Sequence, residues 1–535
     1  MLGYATFVVC CCLIEAQTGA ESPRIIIIGA GPSGIAAASR LMQNGFNNIT
    51  ILEAENRIGG RVYTTEFGGY WVDIGGQWVH GEDDNVAYEL AWPLGVIEHG
   101  SRAIPVKFFS SSGSTMSDDT ASDLLEYYWN ITEAGIPDEY TNRSTGEYYE
   151  LKLNEYFDVN HPEITSDVRR SVLDTMNLLD MADEAGDTWH DVTVNPDEVL
   201  CGGDPAMNWM DRGYSMILAI LMKMYPIPDE ELPVRNSTIL NAEVSNINYD
   251  VYRGGVRVTT AKGDAYFADH AIVTTSLGVL KADYETLFYP PLPAAKINAI
   301  KGLEFGSVAK IYLVYSDPWW TVTNGTFLLN LHWTKNDRKS YANDPSKSWM
   351  LSIATVTGVE HKPRLLCCWL TGPHAREMES VPESRVLEQT RELFHRFFGK
   401  AYNLTEPTAM LRSQWFTNRH FRGTWSYRSL KSARSGARAL DLAAPIMKNG
   451  RPLILFAGEA THSKHPSTVH GAIDSGWREA NRLMELYPDR TSKMPKISHW
   501  GGQFWQLFSE EKATLKSRLV AGKWQGVAAK RQKSS

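Results

Sequence analysis

Four consecutive β-branched residues, Ile25 to Ile28, form a short unbroken apolar run. Such a run predicts a strand buried on both faces, as in a parallel sheet. Gly29-Ala30-Gly31-Pro32-Ser33-Gly34 comes directly after it, and then Ile35 to Met42, whose composition is helical. A second apolar run, Ile49 to Leu52, ends at Glu53. Strand, glycine loop, helix and strand fit within about 30 residues, the opening unit of a dinucleotide-binding fold. Further apolar runs predict strands at Gly255–Thr260, Ala271–Thr274, Ile311–Val314 and Leu453–Phe456, while longer periodicities between Ser122 and Asp187 predict helices. The interleaving implies an α/β fold. A Rossmann-like (GxGxxG) domain would be assembled from discontinuous segments, with the inserted pieces forming an α+β substrate-binding domain.

The ends of the chain read differently. About ten apolar residues, Ala5 to Ile14, precede the small residues Gly19 and Ala20. That pattern predicts a cleaved signal peptide over 1–20 and hence a secreted protein; it is shorter than the roughly 20 residues a membrane span needs. Asn-X-Ser/Thr sequons at Asn48, Asn130, Asn142, Asn236, Asn324 and Asn403 agree with secretion and glycosylation. After removal of Cys10, Cys11 and Cys12, only Cys201, Cys367 and Cys368 remain, so no disulfide framework is expected. Cys367 and Cys368 sit in an apolar run and read as buried small hydrophobes. No CxxC or HExxH spacing suggests a metal, and none is expected. Net charge is −9, but Arg490 to Ser535 carry a local +8, which leaves −17 for the remainder. An acidic body with a basic extension over 488–535 is unlike a nucleic-acid binder, and it would attract cationic substrates.

The glycines have separate tasks. Gly29 allows the tight turn out of the strand, Gly31 lets backbone approach a pyrophosphate, and Gly34 lets helix and strand pack closely. The helix N-terminus presents N–H groups and the positive end of its dipole to phosphate. Glu53, at the end of the second strand, is placed to accept hydrogen bonds from a ribose diol.

The residues after Glu53 narrow the choice of dinucleotide. Glu53-Ala54, with Gly59-Gly60-Arg61 shortly beyond, resembles the second motif of FAD-dependent amine oxidases, and Arg61 would neutralise pyrophosphate charge. Asp73 to Gly81, with Gly76, Gln77 and Trp78, is similar to the family segment that passes beside the isoalloxazine ring. Trp209 to Tyr214, Glu243-Val244 (with Val244 near adenine), Thr275 to Leu280 as a strand-to-turn segment, and Leu455 to Thr461 resemble further family motifs. The resemblance puts Glu459 at the ribityl or pyrophosphate region, and Ser467-Thr468-Val469 at a helix N-terminus aimed at the flavin. It covers about Arg24 to Leu486.

It implies FAD as cofactor. The binding would be noncovalent, because the His462 to Gly471 segment has no cysteine to attach the ring. Residues 24–95, 205–300 and 435–487 would form the FAD domain, and 96–204 and 301–434 the substrate domain. Lys310 matches the family lysine that holds a water near flavin N5. Trp415, with Gly423 after it, and Trp425 match aromatics that flank the amine, and Tyr427 is a further pocket candidate. His80 resembles the histidine of animal polyamine and spermine oxidases, where it would bind a substrate nitrogen or relay a proton; Ser467 would also meet substrate. Pro466 and Val469 depart from that branch. The implied reaction oxidises a polyamine with dioxygen to an imine, which water hydrolyses, and hydrogen peroxide. A secreted L-amino-acid oxidase, or a flavoprotein without turnover, is the alternative.

Overall fold

The computed structural model describes residues 22–101, 104–140, 143–194, 197–251, 254–321 and 325–488. The expected signal peptide, the basic extension from residue 489, and the sequons at Asn142 and Asn324 lie outside the described residues. The described residues up to Arg482 form one compact unit.

The opening βαβ unit forms as expected: β1 is Ile25–Ile28, α1 is Pro32–Gln43 and β2 is Ile49–Leu52. Every residue of β1 is buried, because the strand lies inside a six-stranded sheet. Its neighbours are β2 and the strand His270–Val273, both parallel, with Ile26 opposite Thr50 and Ala271. Arg451–Phe456 extends the parallel order on one side and Thr238–Ile239 on the other; Ile446–Lys448 adds an antiparallel edge. Ile26, Ile28, Val273, Leu280 and Phe456 share one core beneath this sheet. Burying each such side chain contributes about 1.5–3 kcal/mol.

A second six-stranded sheet is ordered Ala409–Arg412, Ala309–Val314, Lys362–Leu370, Ile353–Val359, Leu328–His332, Val106–Ser110. Its pairings are antiparallel, except that Val106–Ser110 runs parallel to Leu328–His332. Cys367 and Cys368 are buried within it as free thiols. Helices Asp118–Glu133, Thr145–Asn160 and Ser166–Glu184 fill the expected helical stretch.

One local expectation needs correction. Leu277–Leu287 is a helix rather than a turn. Ser276 caps it by accepting the Val279 N–H, and a Ser N-cap ahead of Leu-Gly-Val-Leu is a helix start in its own right.

Candidate functional site

The glycine loop between β1 and α1 opens at the carboxyl end of the parallel strands, where open α/β sheets bind ligands. A Cβ on Gly34 would lie 2.0 Å from the Gly29 carbonyl oxygen, so that position tolerates no side chain. Gly31 differs: only the Gly60 Cα comes within 4 Å of where its Cβ would be. Gly31 is also the N-cap of α1 and offers no side chain to the helix N–H groups. The bare stretch between Gly31 and Gly60 suits a group that accepts hydrogen bonds from backbone, as a pyrophosphate does. Nearby, the buried Thr275 hydroxyl has no hydrogen-bond partner and lines a recess with Arg61, Gly458 and Glu459. Glu53 holds the loop from the other side: its carboxylate accepts the N–H of Ala30 at 2.6 Å and that of Glu55 at 2.8 Å. Burial nevertheless holds its carboxyl above the usual range. Val244 begins a strand of a separate small sheet and packs against the core under β1. These features fit a dinucleotide.

Arg61 and Glu459 meet directly. Arg61 Nη1 lies 3.0 Å from Glu459 Oε1 and also donates to the Thr424 carbonyl. The other Glu459 oxygen accepts from the Ser426 hydroxyl at 2.6 Å and the Ser467 N–H at 2.9 Å. Glu459 is therefore saturated by protein donors, and it locks the Ser467 loop to the strand Ser426–Tyr427. The expectation that Ser467 touches substrate needs correction. Its hydroxyl instead donates to the Ser426 carbonyl, with a positive φ of 66°. Thr468 accepts the Gly471 N–H at 2.9 Å and so starts the helix Val469–Leu486, of which Val469 is the first residue.

Lys310 lies in the all-buried strand Ala309–Val314. Its ammonium donates to the carbonyls of Asp73 (3.0 Å) and Gly75 (2.9 Å) and to Gln77 Oε1 (2.9 Å). It also sits 4.5 Å from the centroid of the Trp369 ring. Burial lowers its pKa to about 8 against the opposing pull of Cys367 and Asp73. The Asp73 carboxyl is itself raised to about 6 by burial, although it accepts from Thr64 and from the Tyr214 N–H. Three acceptors consume the three N–H groups of the ammonium. A water would reach Nζ by replacing Gln77, whose side chain is the adjustable partner.

The segment after Asp73 is held from several sides. The Trp415 indole donates to the Ile74 carbonyl at 3.1 Å. A Cβ on Gly75 would lie 1.7 Å from the Arg61 carbonyl oxygen, and Gly76 packs near Val469 and Tyr214. Trp78 stacks on Trp369, centroids 5.4 Å apart. Trp415 is buried in the same apolar cluster against which Trp425 packs.

His80 faces solvent, and its Nδ1 lies 2.7 Å from the Pro205 carbonyl. That bond makes Nδ1 the N–H in the neutral ring and leaves the lone pair on Nε2. The Trp425 indole donates to the Asp183 backbone carbonyl at 2.9 Å. Tyr427 packs partly buried against the helical core rather than standing free.

Sequence reasoning missed the acidic group beside these residues. Asp180, Asp183 and Glu184 end the helix Ser166–Glu184, which has no basic residue in its last turn. Their spacing places them on one face at the negative end of the helix dipole, an unfavourable location for anions. Asp180 is raised to about 7 by burial; Tyr128 donates to one of its oxygens at 2.6 Å, and the other has no partner. Glu184 is raised by burial and then by Glu198, Asp180 and Asp183. Asp183 reaches solvent, yet burial raises its carboxyl and His80 opposes the shift. Only the run Asp180-Met181-Ala182-Asp183-Glu184 without a following Lys or Arg could have signalled it.

The profile of the flavin containing amine oxidoreductases matches residues 32–124 and 166–484. The chain belongs to that family. Its cofactor is accordingly a flavin, and the glycine loop with Glu53 suits the dinucleotide form, FAD. A bovine peroxisomal N(1)-acetyl-spermine/spermidine oxidase is 28% identical over 508 residues, covering 88% of this chain and 97% of the relative. A probable polyamine oxidase of Arabidopsis thaliana is 27% identical over 554 residues, covering 88% and 99%. A redesigned putrescine oxidase shares the fold at a TM-score of 0.60 and 18% identity, covering 86% of this chain and 99% of that structure. No described helix is long and apolar enough to cross a membrane.

Proposed function

We propose that this amine oxidoreductase is a polyamine oxidase. It would oxidise spermine, spermidine or their N-acetylated forms with dioxygen and water to an amine, an aldehyde and hydrogen peroxide. The observation that carries the reading is the acidic group that ends the helix Ser166–Glu184: Asp180, Asp183 and Glu184, with the Trp425 indole bonded to the Asp183 backbone carbonyl. Carboxyls gathered at the negative end of a helix, where burial disfavours their charge, would be ionised by a cationic ligand, and a polyamine supplies several charges along one flexible chain. The relatives whose names specify acetyl-spermine/spermidine or polyamine oxidation support it.

Bound flavin supplies the two-electron acceptor. The chain's own groups do the rest. Carboxylates hold the distal ammonium groups, while the reacting nitrogen must be neutral. Trp415 and Trp425 would position that nitrogen, with an aromatic face favouring a cation at the pocket mouth. His80 Nε2 carries the lone pair that accepts a proton from the arriving amine. Lys310 orders the 73–77 segment and, with its pKa near 8, exchanges a proton close to neutral pH.

An L-amino-acid oxidase is disfavoured by the same acidic group, because clustered carboxyls supply no cation for a substrate carboxylate and repel it once ionised. A peroxide assay with spermine, N-acetylspermine and leucine tests the reading: signal with the first two supports it, and signal with leucine alone overturns it. We also propose secretion. The sequons at Asn48, Asn130, Asn236 and Asn403 all lie on exposed asparagines, as glycan attachment requires. Recovery from culture medium in a glycosidase-sensitive form is the expected result, and retention in the cell overturns it.

A further inference from the structure

Cys201 lies more than 260 positions before His465 and His470, yet one donor atom from each of the three lies within 4.8 Å of the other two. Cys201 Sγ is 3.6 Å from His470 Nε2 and 3.9 Å from His465 Nδ1. Zinc at its usual ~2.3 Å from sulfur and ~2.0–2.1 Å from nitrogen, in a tetrahedron, puts those atoms about 3.5 Å apart. The separations already approach that figure. Among the described residues this is the one such cluster of three.

Contacts with the surrounding chain hold the Cys201 and His465 loops together. The Val199 N–H donates to the Lys464 carbonyl at 2.8 Å, tying the Cys201 loop to the His465 loop. Gly81 packs so tightly on Cys201 that a Cβ there would lie 2.4 Å from the Cys201 carbonyl oxygen. The His465 N–H donates to His462 Nδ1 at 2.9 Å, and His462 Nε2 lies 2.8 Å from Asp474. His465 Nδ1 also lies 2.9 Å from the Val199 carbonyl. Nδ1 is also the atom that faces Cys201, so cation binding would exchange its Val199 hydrogen bond for the metal and leave the proton on Nε2. Imidazoles crowded together and largely buried favour the neutral, lone-pair-bearing form.

We propose that Cys201, His465 and His470 form a binding site for a zinc-like divalent cation, with the thiolate and two imidazoles as ligands and the fourth position left to water. One thiolate with two imidazoles suits Zn2+ over the hard cations Mg2+ and Ca2+. Binding releases the thiol proton. Nothing in amine oxidation requires this site, so it stands apart from the polyamine reading.

The test is equilibrium dialysis of the full-length flavin-loaded protein against Zn2+, followed by zinc K-edge absorption spectroscopy. Cys201→Ser and His465→Ala are compared with the unaltered chain, and flavin content together with zinc-free turnover reports folding. One tightly held zinc with a sulfur ligand is expected, with affinity at least tenfold weaker in both variants. Equal affinity in all three proteins, or a spectrum with oxygen and nitrogen ligands alone, overturns the proposal. If Cys201→Ser loses its flavin, His465→Ala and the ligand spectrum of the unaltered protein still decide.

Discussion

On the proposed reading, the two six-stranded sheets meet their ligands in opposite ways. Around β1 and β2 recognition is by backbone: Gly31 and Gly60 clear a path, α1 offers uncapped N–H groups, and Glu53 braces the loop. Beside the antiparallel sheet the proposed recognition is by charge: Asp180, Asp183 and Glu184 gather at one helix end. Backbone recognition is all-or-none, because a Cβ either fits or does not. Charge recognition is graded, because solvent and salt screen it.

The largest expected effect breaks the first side. Gly34→Val drives a side chain into the Gly29 carbonyl oxygen, and the purified protein should be essentially free of flavin absorbance. Retained colour would mean that the loop relaxes where the packing allows no room. Next comes the lysine shared by both sides. Lys310→Met should lower kcat by about 10²–10⁴-fold, the range for a positioned acid–base group, while flavin content measured by absorbance stays close to the unaltered level.

The charge side should respond more mildly. Asp183→Asn should raise KM for spermidine by about fivefold, with kcat changed less than twofold, since one partly solvated charge pair is worth about 1 kcal/mol. The effect should shrink as salt rises, and a change confined to kcat would remove Asp183 from binding. The smallest effect is a pH limb. Lys310 has a folded pKa below that of the unfolded chain, so the unfolded state binds more protons between about pH 8 and the ordinary lysine value. Stability therefore rises with pH through that window. Urea titrations of the unaltered protein, less those of Lys310→Met, should show a difference rising by at most about 1.4 kcal/mol per pH unit.

The same contrast explains what could be read in advance. The nucleotide loop is contiguous from Ile25 to Glu53, and its apolar run, glycine spacing and terminal carboxylate each carry local physics. Lys310 was legible as a lysine inside an apolar strand, though its three acceptors were not. Ser467 shows the limit: a hydroxyl expected to meet substrate is spent on the Ser426 carbonyl, 41 residues away. The acidic group was harder still, because its helix end meets Trp425 across 242 positions of sequence. Cys201 and His470, 269 positions apart, leave no spacing signal at all. The Ser276 cap was an ordinary helix start, read as a turn.

Lys310 Nζ is a three-way tie between one strand and the 73–77 segment. An amine that gives up its proton keeps two N–H groups for three acceptors. Two of those acceptors are backbone carbonyls that cannot turn; Gln77 can. Mildly alkaline conditions should therefore release Gln77 first, and loosen the grip of the antiparallel sheet on this segment without unfolding either.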